Sequence, residues 1–184
     1  KFADALTAGN FANQAPVFLT EKSKASSELQ KEIDRLGAKE IIIIGGKGSV
    51  SESVEKTLKL QGKKITRISG NDRYETSLKI ADKFYKDAEG AYLASGEVFA
   101  DSLAINPIAA KFDVPLILTP KDKLPQKTLE YLEKSKIIQV AIIGGEKTVS
   151  KQIQQELAKT NPNVVTSVKF TYTKDGKKVT RAVS

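Results

Sequence analysis

Two kinds of turn in this chain hold residues arranged for chemistry. The first is Arg67-Ile68-Ser69-Gly70-Asn71-Asp72-Arg73-Tyr74-Glu75-Thr76, where two of the chain's four arginines flank a glycine turn. A helical stretch follows, and Asn71 or Asp72 suits its N-cap because a short side-chain oxygen accepts an orphan amide of the first turn. Arg73 then has two readings. It pairs with Asp72 or Glu75 and locks the turn, or it grips an anionic ligand or a neighbouring module through its two-pronged guanidinium. The second kind is a Gly-Gly turn that occurs at Gly45-Gly46 and again at Gly144-Gly145, with Lys47 and Lys147 nearby. Loops at strand ends are where open parallel sheets hold ligands, and helix N-termini offer amides to anions. Neither turn has a nucleotide-binding spacing. Gly-x-Gly-x-x-Gly is absent, and Gly45-Gly46-Lys47-Gly48-Ser49 does not fit Gly-x-x-x-x-Gly-Lys-Ser/Thr. The alternative is a tight strand-to-helix turn that needs glycine.

Asp4 and Asp101 each follow Phe-Ala and open a small-residue stretch. An N-cap is the simplest role. A carboxylate placed this way also suits sugar hydroxyls, or the arginine turn of a neighbouring module. A catalytic pair needs both carboxylates within about 10 Å, and one Asp per repeat gives no reason to expect that.

The elements that must position these residues alternate between strand and helix. Lys39 to Ile44, Ala91 to Ala94, Pro115 to Leu118 and Ile137 to Ile143 are short runs of Ile, Leu and Val, as in strands buried on both faces of a parallel sheet. Pro16 to Thr20 and Lys63 to Ile68 are weaker strand candidates. Leu29, Ile33 and Leu36 form one helical stripe, and Tyr74, Leu78, Ala81 and Tyr85 another. Ser26-Ser27, Ser51 and Ser150 are candidate N-caps, and Pro125 suits a first helical turn. Pro107 falls inside the expected helix Phe99 to Phe112 and should kink it or start a new turn. Val164 to Val183 alternates polar and apolar residues around Asp175-Gly176, the pattern of a β-hairpin. The fold class expected is α/β: tandem three-layer modules with mainly parallel sheets, plus that hairpin.

The chain also repeats itself. Phe2-Ala3-Asp4-Ala5-Leu6 returns as Phe99-Ala100-Asp101-Ser102-Leu103, Pro16-Val17-Phe18-Leu19-Thr20 as Pro115-Leu116-Ile117-Leu118-Thr119, and Ile43 to Ser51 as Ile142 to Ser150, at offsets of 97, 99 and 99. A repeat of this length is a module in itself, longer than a solenoid unit. With no Cys and no His, the 184 residues exclude disulfides, thiol nucleophiles, and Ser-His-Asp or Cys-His catalysis. The net charge of +8 comes almost wholly from 26 lysines. Lysine is a mobile, hydrated point charge, which favours diffuse attraction to a polyanion over base-edge reading; plain solubility is the alternative. No apolar run approaches the roughly 18 residues that would read as a transmembrane helix. Lys1-Phe2-Ala3-Asp4 has no apolar leader behind it.

Taken as a set, these motifs resemble the cell wall binding repeat 2 family of surface proteins from clostridia and related Gram-positive bacteria. Its pattern opens on an Arg-Ile-Ser-Gly-x-Asp-Arg-Tyr-Glu-Thr type start, here Arg67 to Thr76. A Leu-Ala-Ser-Gly-x-x-Phe-Ala-Asp-Ser-Leu segment follows, here Leu93 to Leu103. Pro-Leu-Ile-Leu-Thr is here Pro115 to Thr119, and the closing Ile-Ile-Gly-Gly-x-x-x-Val-Ser is here Ile142 to Ser150. The match spans nearly all of residues 1–160. No arginine start precedes Phe2, and Thr166-Ser167-Val168-Lys169 stands where a third start is expected.

The resemblance implies an incomplete first module over 1–66, a complete second over 67–163, and a tail over 164–184. It implies non-covalent anchoring to an anionic cell-wall polysaccharide at the cell surface. It also implies secretion, further modules as partners, no catalysis, no metal, no cofactor, no nucleic acid and no membrane insertion. A structural S-layer or adhesin spacer, or a nucleotide or sugar-phosphate enzyme, are the alternatives. Polymer binding or module contact is expected at Arg67, Asn71, Asp72, Arg73, Asp101, Leu118, Thr119, Asp4, Leu19 and Thr20. The first module lacks what Arg67 to Ala94 supplies in the second. Its sheet is therefore expected to show an open edge, covered by an upstream chain, by the hairpin or by a second copy.

Overall fold

In the computed structural model, residues 5–9, 15–160, 164–165, 168–174 and 177–183 are described. The first half runs α1 (Ala5–Ala8), α2 (Ser27–Arg35), β1 (Glu40–Ile44), α3 (Glu52–Leu60) and β2 (Lys64–Ile68). The second runs α4 (Arg73–Phe84), β3 (Gly90–Ser95), α5 (Phe99–Phe112), β4 (Leu116–Thr119), α6 (Gln126–Lys134), β5 (Gln139–Ile143), α7 (Lys151–Thr160) and β6 (Val164–Val165). β7 (Val168–Lys174) and β8 (Lys177–Val183) pair antiparallel. The Asp175-Gly176 turn expected between them lies outside the described residues.

All pairing in the two halves is parallel. β1 lies against β2 from Glu40↔Lys64 to Ile44↔Ile68. The second sheet has the order β4-β3-β5, with the two-residue β6 on the far side of β5. Its strands sort their side chains by the two-residue period of a pleat. Ala91, Leu93, Ile117, Val140 and Ile142 face a core shared with Leu78, Leu132, Ile153 and Leu157, on α4, α6 and α7. Ala94, Leu116, Leu118 and Ile143 face the opposite way, onto Ile105 of α5 and Leu6 of α1. The second half is thus three layers, as expected. The first half has its own core of Ala25, Ile33, Val54 and Leu58. A smaller cluster of Ile44, Ile68, Ile80, Phe84 and Tyr85 packs α4 onto the end of the β1–β2 sheet.

The repeat is visible in three dimensions. α2, β1 and α3 correspond to α6, β5 and α7 at the offset of 99. Ser51 N donates to Lys22 O, as Ser150 N does to Lys121 O. Val50 and Val149 donate to Gly46 O and Gly145 O. Lys47 pairs with Glu52, whereas Lys151 pairs with Glu146 at 3.0 Å, so one ion pair occupies both slots with its signs exchanged.

One expectation is corrected. Pro16 to Thr20 is not a strand, and Val17, Phe18 and Leu19 are exposed, although the equivalent β4 is fully buried. A strand needs a ladder partner, and among the described residues β1 pairs with β2 alone. Pro107 lies inside α5, which runs through it to Phe112.

Candidate functional site

The arginine turn is assembled from β2 and the start of α4. Arg67 lies on β2 and is largely buried. Its Nε and Nη2 donate to Glu55 Oε2 at 3.1 and 2.9 Å, and Nη1 donates to Gly45 O at 2.8 Å. Lys59 and then Arg67 hold the Glu55 carboxyl below the ordinary carboxylate range. One guanidinium therefore fastens the first Gly-Gly turn to helix α3. Gly45 itself has φ 117° and Gly144 has φ 111°, so both turns use the region that favours glycine.

Asp72 is the N-cap of α4, accepting from Glu75 N at 2.7 Å. Glu75 reaches back to Asn71 N at 3.1 Å, a reciprocal arrangement of the capping-box kind. The Asn71 amide, then Lys127, hold the Glu75 carboxyl down to about 2. Lys127 lies 3.1 Å and Lys79 3.4 Å from that carboxylate. Arg73 takes neither of its expected partners. Its Nη1 donates to Gly96 O, at the end of β3. A Cβ on Gly96 would stand 2.7 Å from Tyr74 Cε1 and 3.0 Å from Arg73 Cδ, so this approach requires glycine.

Asp101 is not an N-cap. It lies in the first turn of α5, whose cap position is Val98, and its Oδ2 accepts from Thr148 Oγ1 at 3.1 Å. Asp101 thereby ties α5 to the second Gly-Gly loop. Asp4 lies outside the described residues. Leu118 and Thr119 are completely buried and present no surface to a polymer. Leu19 is 65% exposed, and Thr20 Oγ1 contacts Lys24 O at 3.4 Å. The expected residues thus divide. Arg67, Asn71, Asp72, Arg73 and Asp101 each brace a separate turn or loop, and Leu19 stands on a segment outside any strand.

A feature missed in the sequence lies beside the arginine turn. A groove of about 500 Å³ between β2 and α4 is lined by Arg67, Ile68, Ser69, Lys79, Asp82, Lys83 and Lys86. Three lysines line it with one carboxylate, while the Arg67 guanidinium at its wall is engaged with Glu55 and Gly45 O. The signal was available, since Lys79, Lys83 and Lys86 recur at spacings of four and three, one face of a helix. Lys79 Nζ donates to Ser69 O at 2.8 Å, which fixes the near wall. A second hollow, of about 680 Å³, has mixed lining that includes Lys86, Asp87, Glu89, Phe112 and Val114. Among the described residues no group of three His, Cys, Asp or Glu side chains is placed to hold a metal, and no helix is long and apolar enough to cross a membrane.

A repeated α/β module whose motif residues brace turns, beside a basic groove, is the architecture of a binding domain. The profile of the family described as cell wall binding domain 2 matches residues 1–55 and 67–154, and the chain belongs to that family. It is 38% identical over 162 residues to the amidase enhancer of Bacillus subtilis (strain 168), covering 87% of this chain and 22% of that protein. It is 30% identical over 158 residues to N-acetylmuramoyl-L-alanine amidase LytC of the same organism, covering 85% and 32%. Among solved structures it is similar to Cwp6 from Clostridium difficile, with TM-score 0.82, 33% identity, and coverage of 89% of this chain and 27% of that one. Cwp8 from the same organism gives TM-score 0.78 at 33% identity, covering 89% and 29%. The chain therefore spans about a quarter to a third of these relatives. It is a cell wall binding domain of Gram-positive surface proteins, a non-catalytic module that acts at the cell wall.

Proposed function

We propose that this domain anchors its protein non-covalently to an anionic cell-wall polysaccharide, and that the groove between β2 and α4 is where the polymer lies. The groove carries the reading, because Lys79, Lys83 and Lys86 line it with a single opposing Asp82. Each exposed lysine contact is worth under about 1 kcal/mol. A repetitive polyanion sums many such contacts, and linked modules raise the effective concentration further.

Further modules of the same kind are the proposed protein partners. Leu6 and Leu103 are repeat-equivalent, yet Leu6 is buried against the second half while Leu103 is 56% exposed. One leucine has found its socket in a neighbouring module, and the other still presents the matching knob. Such a head-to-tail contact leaves one free end per array.

The test is co-sedimentation with purified cell walls from low salt to about 0.5 M, where charge screening shortens to a few ångströms. Binding is expected to fall steeply with salt. The triple change Lys79→Gln, Lys83→Gln, Lys86→Gln is expected to weaken it about tenfold or more at low salt. Walls stripped of their anionic polymer should retain little protein. Salt-independent binding, or undiminished binding by the triple variant, refutes this reading.

A further inference from the structure

The basic groove does not end at Lys83 and Lys86. Both lysines also line the second hollow, of about 680 Å³, so the two spaces meet along the end of α4. The hollow follows from the topology. β3 and β4 are parallel neighbours, but α4 packs on one face of their sheet and α5 on the other. The C-terminal ends of the two helices therefore lie on either side of the starts of β3 and β4, with residues 85–89 and 113–115 as the connections. Tyr92 N donates to Pro115 O at 2.9 Å, and Ile138 N and Gln139 N donate to Glu89 O at 2.8 and 3.1 Å, so both connections are tied to the sheet.

The hollow's chemistry is unlike the groove's. Phe112 is part of its lining and is 63% exposed. The base of that side chain is fixed. Asp113 has φ 53°, Asp113 N donates to Ala110 O and Val114 N to Ala109 O, the pair of bonds that closes a helix on a left-handed residue. Phe84 lines the same space, and Lys83 and Lys111 stand 5.8 and 6.0 Å from the ring centres of Phe84 and Phe112. Three carboxylates, Asp87, Glu89 and Asp113, share the lining with Lys83 and Lys86. Asp87 is also paired with Lys136 at 2.6 Å. Such a lining repels a polyanion, and a purely apolar ligand would strand its charges.

What fits is a ligand with an apolar face and a rim of hydroxyls. A pyranose ring has both. Its C–H face packs on an aromatic ring, and its hydroxyls donate to carboxylates and accept from ammonium groups. The volume suits a ligand of one or two rings. We propose that this hollow is a subsite for an uncharged pyranose, with Phe112 as its platform, Glu89 as acceptor and Lys86 as donor. Because Lys83 and Lys86 wall both spaces, a glycan lying in the groove passes an uncharged residue into the hollow. That continuity rests on the polymer reading, whereas the hollow's own affinity for a sugar does not.

The probes are methyl glucoside and methyl N-acetylglucosaminide, titrated into the isotopically labelled whole chain in about 0.5 M salt, where the attraction of exposed lysines is screened. Saturable millimolar binding of at least one is expected, with amide shifts at 84–90 and 111–115 and saturation transfer from an aromatic ring to the sugar's C–H groups. Phe112→Ala removes a ring that is mostly in water, keeps the fold, and is expected to weaken binding about tenfold or more. Glu89→Gln is expected to weaken it about threefold or more. Lys79→Gln, which alters the groove and not the hollow, should leave it unchanged. No saturable shift with either sugar overturns the proposal. So do shifts confined to other residues, and so does binding that both Phe112→Ala and Glu89→Gln leave intact. Failure of the polymer reading is seen separately, as wall binding that ignores salt.

Discussion

Replacing Leu6 and Leu103 by alanine, one at a time, sets the repeat against the structure. The two leucines occupy the same place in the sequence pattern, but Leu6 is 3% and Leu103 56% exposed. Leu6 shares a cluster with Ala94, Ile105, Leu116, Leu118 and Ile143, all in the second half. Truncating a buried leucine loses its transfer free energy and leaves a cavity, typically about 2.7–5 kcal/mol. Leu6 sits on a four-residue helix that can settle inward, so the expected cost is at the low end, about 2–3 kcal/mol. For a chain of this size that lowers Tm by about 4–12 °C. Leu103→Ala removes a half-exposed side chain and should stay within about 0.5 kcal/mol, or about 2 °C. Thermal melts followed by circular dichroism measure both, and urea titrations with unchanged slope confirm that stability moved and compactness did not. Equal shifts for the two variants, or a larger one for Leu103→Ala, would refute the placement of Leu6 in the core of the second half.

Two further outcomes test the turns. Gly144→Ala sets an alanine at φ 111°, with its Cβ 2.6 Å from Asp101 Oδ2 and also against Thr148 Oγ1, and should destabilise by about 2–4 kcal/mol. Gly46→Ala, which meets nothing within 4 Å, should stay within about 0.5 kcal/mol, and similar melts for the two would show that the loop is not braced as described. Glu75 titrates from 4.5 in the unfolded chain to about 2 in the folded one. A depressed carboxylate contributes fully above the unfolded value and loses that contribution as pH falls through the folded one. The fall in Tm from about pH 5 to about pH 2.5 should therefore be shallower in Glu75→Gln than in wild type, and parallel curves would contradict the linkage.

The repeat and the strand–helix alternation were legible because hydrophobic period and glycine turns are local properties. Asp72 as an N-cap and Ser26, whose Oγ accepts from Leu29 N at 3.1 Å, were readable for the same reason. The failures required a neighbour. Pro16 to Thr20 has the composition of β4 but no ladder partner, so composition alone named a strand that is not there. Arg73 was read against the acids beside it in sequence, yet its partner is a carbonyl just past β3, 23 residues on. Asp101 answers Thr148 across 47 residues, which cap preferences do not report. The basic groove was written into the spacing of Lys79, Lys83 and Lys86, but only the nearness of β2 makes a face of α4 into a groove.

The position of Leu6 bears on the order in which the chain acquires its structure. Its packing partners extend to Ile143, so α1 has no finished site until about 140 more residues have been made, roughly 7–30 s at ordinary elongation rates. Through that interval Leu6 of α1 lacks its partners, while α2, β1 and α3 already have the means to pack together. Residues made early in this stretch are thus among the last of it to be placed. The late arrival of β4 and β5 supplies the partners that Leu6 packs against.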